Sequence, residues 1–298
     1  MNLHAFILVI CAGLIHAIWN VVAKQTGGDS RFACFTNLIM MVVWAPAGIY
    51  MGWDVVPAWH WKEWVLIALS GAVHVLYFVT LLRGYRQSDL TVVYPVARGS
   101  GPLISSIAAC FILEEKISVL GWSGIAAVVF GVFFIAGGPT LLNILLGAGR
   151  SESRHKLIIN GIYYGLITGL FIAAYTVIDG YAVKVMLIAP LLVYYFCNFI
   201  QIFLLLPALW RDTKQTKALW RAQWKPAVFV ATISPLSYIL VLQAMQTAPL
   251  SHVAPAREVS MLFAALIGGR LLGEGDRAVR LCGAFLIAAG VIALGIGG

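Results

Sequence analysis

The chain has 298 residues, of which 61% are hydrophobic and 11% charged, less than half the roughly 25% charged residues of a soluble domain. That composition excludes a water-soluble globular fold, and the useful ruler becomes the roughly 20 apolar residues that cross a hydrocarbon core about 30 Å thick. The net charge of +8 lies in short clusters between apolar stretches, as membrane-topology signals do, so no nucleic-acid partner is expected.

Ten apolar stretches of spanning length follow in chain order, at 3–23, 32–52, 62–82, 89–113 and 118–138, then at 157–178, 186–209, 227–246, 249–272 and 279–297. Helices satisfy their own backbone polar groups, as lipid demands. The predicted fold class is therefore an all-α membrane protein with ten transmembrane helices. The first stretch has no basic leader and runs from Leu3 to about Val22, too long for a signal-peptide core, so it reads as a span. The longest connections are 139–156 and 210–226. The first, with Arg150, Ser151, Glu152, Ser153 and Arg154, divides the chain into 1–138, a linker at 139–156, and 157–298. Cys11, Cys34, Cys110, Cys197 and Cys282 fall in apolar spans without metal or disulfide spacing and are expected to be small buried hydrophobes. No metal or other cofactor is expected.

The halves repeat. Leu90-Thr91-Val92-Val93-Tyr94-Pro95 matches Leu250-Ser251-His252-Val253-Ala254-Pro255 at a shift of 160, and Glu114 falls on Glu274 at the same shift. Gly124, Gly131-Val132 and Gly138 match Gly283, Gly290-Val291 and Gly297 at a shift of 159. Five spans per half is an odd number, so the second half enters the membrane in the opposite sense. The result is two inverted five-helix repeats, an architecture that places a transport site at the midplane between halves. Connections one, three, five, seven and nine carry fifteen Lys or Arg, against three (Lys62, Lys116 and Lys184) in the even connections. The positive-inside rule then puts the odd connections in the cytoplasm and both termini outside, with Trp53, Trp59, Trp61 and Trp64 as an outer aromatic belt.

Ten spans in two five-helix halves, a proline in the fourth and ninth and a glutamate closing each, resemble the drug/metabolite transporter superfamily, and within it the EamA type, over nearly the whole chain. The first span's His16-Ala17-Ile18-Trp19-Asn20 with Lys24, and the sixth's Tyr175-Thr176-Val177-Ile178-Asp179-Gly180, are similar to family motifs. The His-Ala-x-Trp-Asn start is also similar to a branch associated with phosphonate utilisation. The resemblance implies a secondary transporter of the bacterial inner membrane, often an exporter of amino acids, metabolites or drugs, and leaves the substrate open. Many EamA-type members are drawn with cytoplasmic termini, the reverse of what the charge count gives here.

Arg98 lies about ten residues into the fourth span, some 15 Å deep at about 1.5 Å per residue. An arginine there costs at least about 2.5–3.5 kcal/mol and needs a cavity or a partner. Tyr94 lies one turn earlier on the same face, and Pro95 with Gly99-Ser100-Gly101-Pro102 weakens the helix ladder, exposing backbone groups to solute. Arg257 and Glu258 occupy the repeat-related depth, just after Pro255. These charges either bind substrate or tie the halves together. One division sends Arg257 to a substrate anion and Glu258 to Arg98 or a substrate amine. Glu258 is also the candidate for proton coupling, since burial raises a carboxylate pKa.

His16, Trp19 and Asn20 share a helix face, as do His74 and Tyr77; each group lines a cavity or makes interhelical hydrogen bonds. Tyr175 and Tyr238 are further lining candidates with packing as the alternative. Asp179 and Lys184 read as loop or interface charges, and Glu114 and Glu274 as helix-closing residues. Gly124 with Gly131, and Gly283 with Gly290, mark close helix contact through small residues, and the family resemblance implies that these last helices of each half form a packing or dimer surface rather than the pathway.

Two arginines and one glutamate suit a small anionic or zwitterionic metabolite, such as an amino acid, an organic acid or an aminophosphonate. No HExxH, GxSxG or nucleotide-binding glycine loop is present, so an enzyme is not expected, although a membrane enzyme and a passive channel remain the alternatives to a carrier. Without a Walker motif the energy comes from a gradient, protons being one candidate, or from the solute itself. The expected partners are the lipid bilayer and a small-molecule substrate, with the chain a monomer or homodimer.

Overall fold

The computed structural model describes residues 1–26, 29–136, 152–210, 212–268 and 277–297. Arg150, Ser151, Arg211, Arg270, Glu274, Gly138 and most of the 139–156 linker lie outside the described residues. Every regular element described is helical: α1 (Leu3–Gln25), α2 (Ser30–Val43), α3 (Ala45–Gly52), a single 3-10 turn (Val56–Ala58), α4 (Trp61–Gln87), α5 (Leu90–Ile112), α6 (Val119–Ile135), α7 (Glu152–Lys184), α8 (Pro190–Trp210), α9 (Thr213–Thr247), α10 (Leu250–Ala256), α11 (Val259–Gly268) and α12 (Arg277–Ile296).

Six of these (α1, α4, α7, α8, α9 and α12) are each long and apolar enough to cross a membrane, and α2 with α3 makes a seventh if that pair, bent by 57°, is one span. The remaining expected spans fall short for local reasons. α5 is long enough but diluted by Arg98 and its Gly, Ser and Pro residues, α6 has 17 residues, and α10 and α11 are each a fragment. The expected loop at 210–226 is mostly the first turns of α9, capped by Asp212, whose carboxylate accepts the Gln215 N–H at 3.0 Å. The first turns of α9 stay helical because Lys, Gln and Ala are strong helix formers.

Proline acts differently in the two halves. α5 runs through Pro95 and Pro102 without a break, so the helix break expected at Pro95 does not occur. α10, by contrast, stops just after Pro255, and tight turns from Glu258 N–H to Pro255 O and from Ser260 N–H to Arg257 O carry the chain into α11. A proline leaves the carbonyl four residues earlier without its helical donor. At Pro255 that is the Ser251 carbonyl, which accepts the Ser106 hydroxyl of α5 at 3.0 Å. The break is thus braced by the other half.

The closest packing crosses between halves: α5 lies along α7, α4 along α7 and α8, α1 along α9 and α11, α2 against α8 and α9, and α6 along α12. Exchanging the halves maps α4–α7 onto α9–α1, α5–α7 onto α11–α1, and α2–α9 onto α8–α4. A two-repeat layout explains this correspondence. Gly124 lies against Gly290 and Gly131 against Gly283, so α6 and α12 run antiparallel. This glycine seam is therefore closed inside one chain, not left open as a dimer surface. Of the cysteines, Cys34 and Cys197 are buried as expected, whereas Cys11 and Cys282 are exposed on the outer helix surfaces.

Candidate functional site

Where the halves meet, side chains from α1, α4, α5, α7, α8 and α9 and from the α10–α11 break enclose a cavity of about 370 Å³. α1 contributes His16, Trp19 and Asn20; α4 His74, Tyr77, Leu81 and Tyr85; α5 Tyr94 and Arg98; α7 Thr168, Ile172 and Tyr175; α8 Tyr194; α9 Ser234, Ser237 and Tyr238; and the break Arg257. Ten of the eleven residues singled out as substrate-binding candidates in the sequence are on this wall. The eleventh, Glu258, is 1% exposed and stands behind it.

The charged wall is built by the break in α10–α11. Ending α10 at Ala256 puts Arg257 into the cavity and turns Glu258 toward α5, where its Oε2 lies 2.9 Å from Arg98 Nη2. Arg257 Nε is 3.9 Å from Glu258 Oε1. One carboxylate thus stands between two guanidinium groups, leaving an excess positive charge. The 2.9 Å contact is a charge contact without hydrogen-bond alignment, and Arg98 Nε has no hydrogen-bond partner. Such a donor retains capacity for a ligand. The Arg98 guanidinium sits 6.0 Å from the centre of the Tyr94 ring, at the limit of cation–π attraction.

The other walls are aromatic. His74 stacks on Tyr175 with ring centres 3.9 Å apart, His16 meets Trp19 edge-on at 4.8 Å, and Trp19 Nε1 donates to Ser237 Oγ at 3.2 Å. Tyr85, Tyr194, Ser234 and Ser237 went unrecognised in the sequence. Tyr85 was legible, since His74, Tyr77, Leu81 and Tyr85 recur at one helical face. Ser234 and Tyr194 carry no such signal.

Asp179 needs the largest correction. α7 extends to Lys184, beyond the expected end at 178, so Asp179 is neither a loop nor an interface charge; it is 1% exposed within the helix. Its Oδ1 accepts a short hydrogen bond from the Ser70 hydroxyl and its Oδ2 accepts the Tyr238 hydroxyl at 2.6 Å. The i, i+4 spacing of Tyr175 and Asp179 was the available signal. Lys184 pairs with Glu115, at 2.6 Å. It is Glu115, not the exposed Glu114, that reaches the other half, because Glu114 takes φ 53° and turns the chain back. Glu115 then accepts the backbone N–H groups of Leu250 at 2.8 Å and Ser251 at 2.9 Å.

The model of the EamA-like transporter family matches residues 3–137 and again 159–296. The chain belongs to the EamA-like transporter family. Its members are transporters, and with several helices of crossing length this EamA-like protein is a multi-pass membrane protein with a small-molecule transport role. No curated protein matches its sequence. Among solved structures, a crystal structure described only as that of a protein is 14% identical, covers 98% of each chain and superposes with a TM-score of 0.73. That likeness bears on the fold alone.

Proposed function

We propose that this EamA-like protein is a secondary carrier, working as an exporter, that moves a small anionic or zwitterionic metabolite by alternating access through ten spans arranged as two inverted repeats. An amino acid, an organic acid and an aminophosphonate are the substrate types that fit. The observation that carries this reading is the wall where Arg98 and Arg257 flank a single carboxylate, Glu258. Inside a low-dielectric cavity the uncompensated cation favours an anionic group, and the aromatic walls suit the remainder of a compact solute or its ammonium. The charge asymmetry of the connections supports an inner-membrane placement with the odd connections in the cytoplasm.

Counterflow in proteoliposomes loaded with labelled L-alanine, succinate or aminoethylphosphonate tests this. The expected result is saturable exchange of at least one probe, lost in Arg98→Ala/Arg257→Ala at matched reconstitution. Unsaturable flux would indicate a channel and chemical conversion of a probe an enzyme; equal exchange by the double variant would remove the arginines from the site.

A further inference from the structure

The cavity wall hides a second acidic group with a different environment. Asp179 does not line the cavity; His74, Tyr175 and Tyr238 do, and stand between it and the cavity space. Two hydroxyls, Ser70 and Tyr238, are its hydrogen-bond partners, and no lysine or arginine among the described residues makes an ion pair with it. Glu258 differs in lying against Arg98 at 2.9 Å. Protonating Glu258 would strand Arg98 as an unpaired buried cation. Protonating Asp179 breaks no ion pair among the described residues.

We propose that Asp179 is the proton-binding carboxyl of this protein, loaded and unloaded from the cavity through Tyr238 and through His74 and Ser70. A metabolite cannot touch a 1% exposed carboxylate behind a ring wall, but a proton can be handed through it. His74 Nδ1 lies 2.9 Å from the Ser70 carbonyl and 3.3 Å from the Ser70 hydroxyl, which in turn donates to Asp179 Oδ1. A proton taken up by His74 from the cavity is balanced by one passing from Nδ1 to Ser70 Oγ, and one from Ser70 Oγ to Asp179. On the other side, Tyr238 gives its hydroxyl proton to Oδ2 and regains one from the cavity. The groups facing Asp179 are Ser70 and His74 from α4, Cys197 from α8, Tyr238 from α9 and Arg257 at the α10–α11 break. Arg257 is the charge among them that a bound substrate anion would neutralise, so anion binding and proton uptake at Asp179 are coupled. This coupling rests on the carrier reading; proton binding itself does not.

Infrared spectra of the full chain in lipid vesicles, titrated over about pH 4 to 10 to cover shifts of several units, test the site directly. A protonated-carboxyl band that titrates in wild type, persists in Glu258→Gln, moves in Asp179→Glu and is missing in Asp179→Asn is expected. A band unchanged in Asp179→Asn, or lost instead in Glu258→Gln, overturns the assignment. In proteoliposomes with the same three probes, Asp179→Asn should keep exchange at equal pH but lose the acceleration of net flux by an imposed pH gradient. Acceleration equal to wild type overturns the coupling, as does a fall in melting temperature as the variant's sole change. If no probe exchanges in wild type, the carrier reading fails, and the infrared titration still decides the proton site.

Discussion

At the level of single residues, the pair of Arg98 and Glu258 governs both folding and binding. With side-chain exposures of 16% and 1%, both charges are largely out of water, and breaking such a pair leaves an unmatched buried ion at a cost of about 3–5 kcal/mol. Arg98→Gln should therefore lower the melting temperature in detergent sharply. Because Arg257 remains 3.9 Å away, Glu258→Gln should also destabilise, leaving two guanidinium groups without their shared carboxylate. The double variant Arg98→Gln/Glu258→Gln should recover stability relative to Glu258→Gln alone, because it leaves one guanidinium, that of Arg257, without a carboxylate instead of two; additive losses would mean that the contact carries no coupling energy. Arginines deep in an apolar span stood out in the sequence because water-free burial makes them rare. Asp179 was misread because the apolar run before it suggested an earlier helix end, and a terminal acid looks solvated. Ser234 and Tyr194 were illegible because isolated hydroxyls cost little in a span and are placed by packing between helices far apart in sequence.

Among the helices, the α6–α12 seam has the least tolerance. A Cβ at Gly131 would sit 2.7 Å from the Gly283 carbonyl oxygen, and one at Gly290 the same distance from the Gly124 carbonyl. Backbone atoms cannot swing away as a side chain end can, so the helices must separate, and overpacking of this kind costs about 1–3 kcal/mol. Gly131→Val should lower the melting temperature more than Gly131→Ala. Gly99→Ala, whose Cβ would meet only Val129 at 3.8 Å, should be neutral by comparison. Equal melting curves for Gly131→Val and Gly99→Ala would refute the seam. The repeat spacing of these glycines was legible; their partner was not. Periodicity gives the face of a helix that packs closely, whereas whether the facing helix belongs to the same chain depends on how five helices fold back on five others. A second close approach, α7 glycines 161, 165 and 169 against α5, was overlooked for the same reason: the relation is between halves.

For the whole molecule, the distribution of contacts separates a tied face from the cavity. On the side of the termini, the Met1 amine donates to the Gly295 carbonyl at 3.0 Å, the Ser118 hydroxyl donates to the Gly297 carbonyl at 2.6 Å, and Glu115 holds Lys184 and the start of α10. The cavity lining instead runs from mid-helix toward Tyr85, two residues from the end of α4 on the opposite face. Alternating access, as proposed, requires the Glu115 tie to open. Burial pushes the Glu115 carboxyl up, but the Lys184 ammonium and the Ser251 and Leu250 N–H groups outweigh burial and hold it below the ordinary value. A carboxylate held low when folded contributes stability above the unfolded glutamate value of about 4.3 and loses it as pH falls through the lower folded value. The melting temperature of wild type should thus exceed that of Glu115→Gln at neutral pH, with the difference shrinking on acidification below about pH 4.3. Val241 of α9 is also on the cavity wall, and at neutral pH Glu115→Gln should speed labelling of a Val241→Cys reporter, with the native cysteines replaced, by an impermeant thiol reagent from the termini side. A variant with a lower melting temperature but unchanged labelling would make Glu115 a structural cap on α10. A pH-independent difference in melting temperature would show that its charge is not what ties the halves.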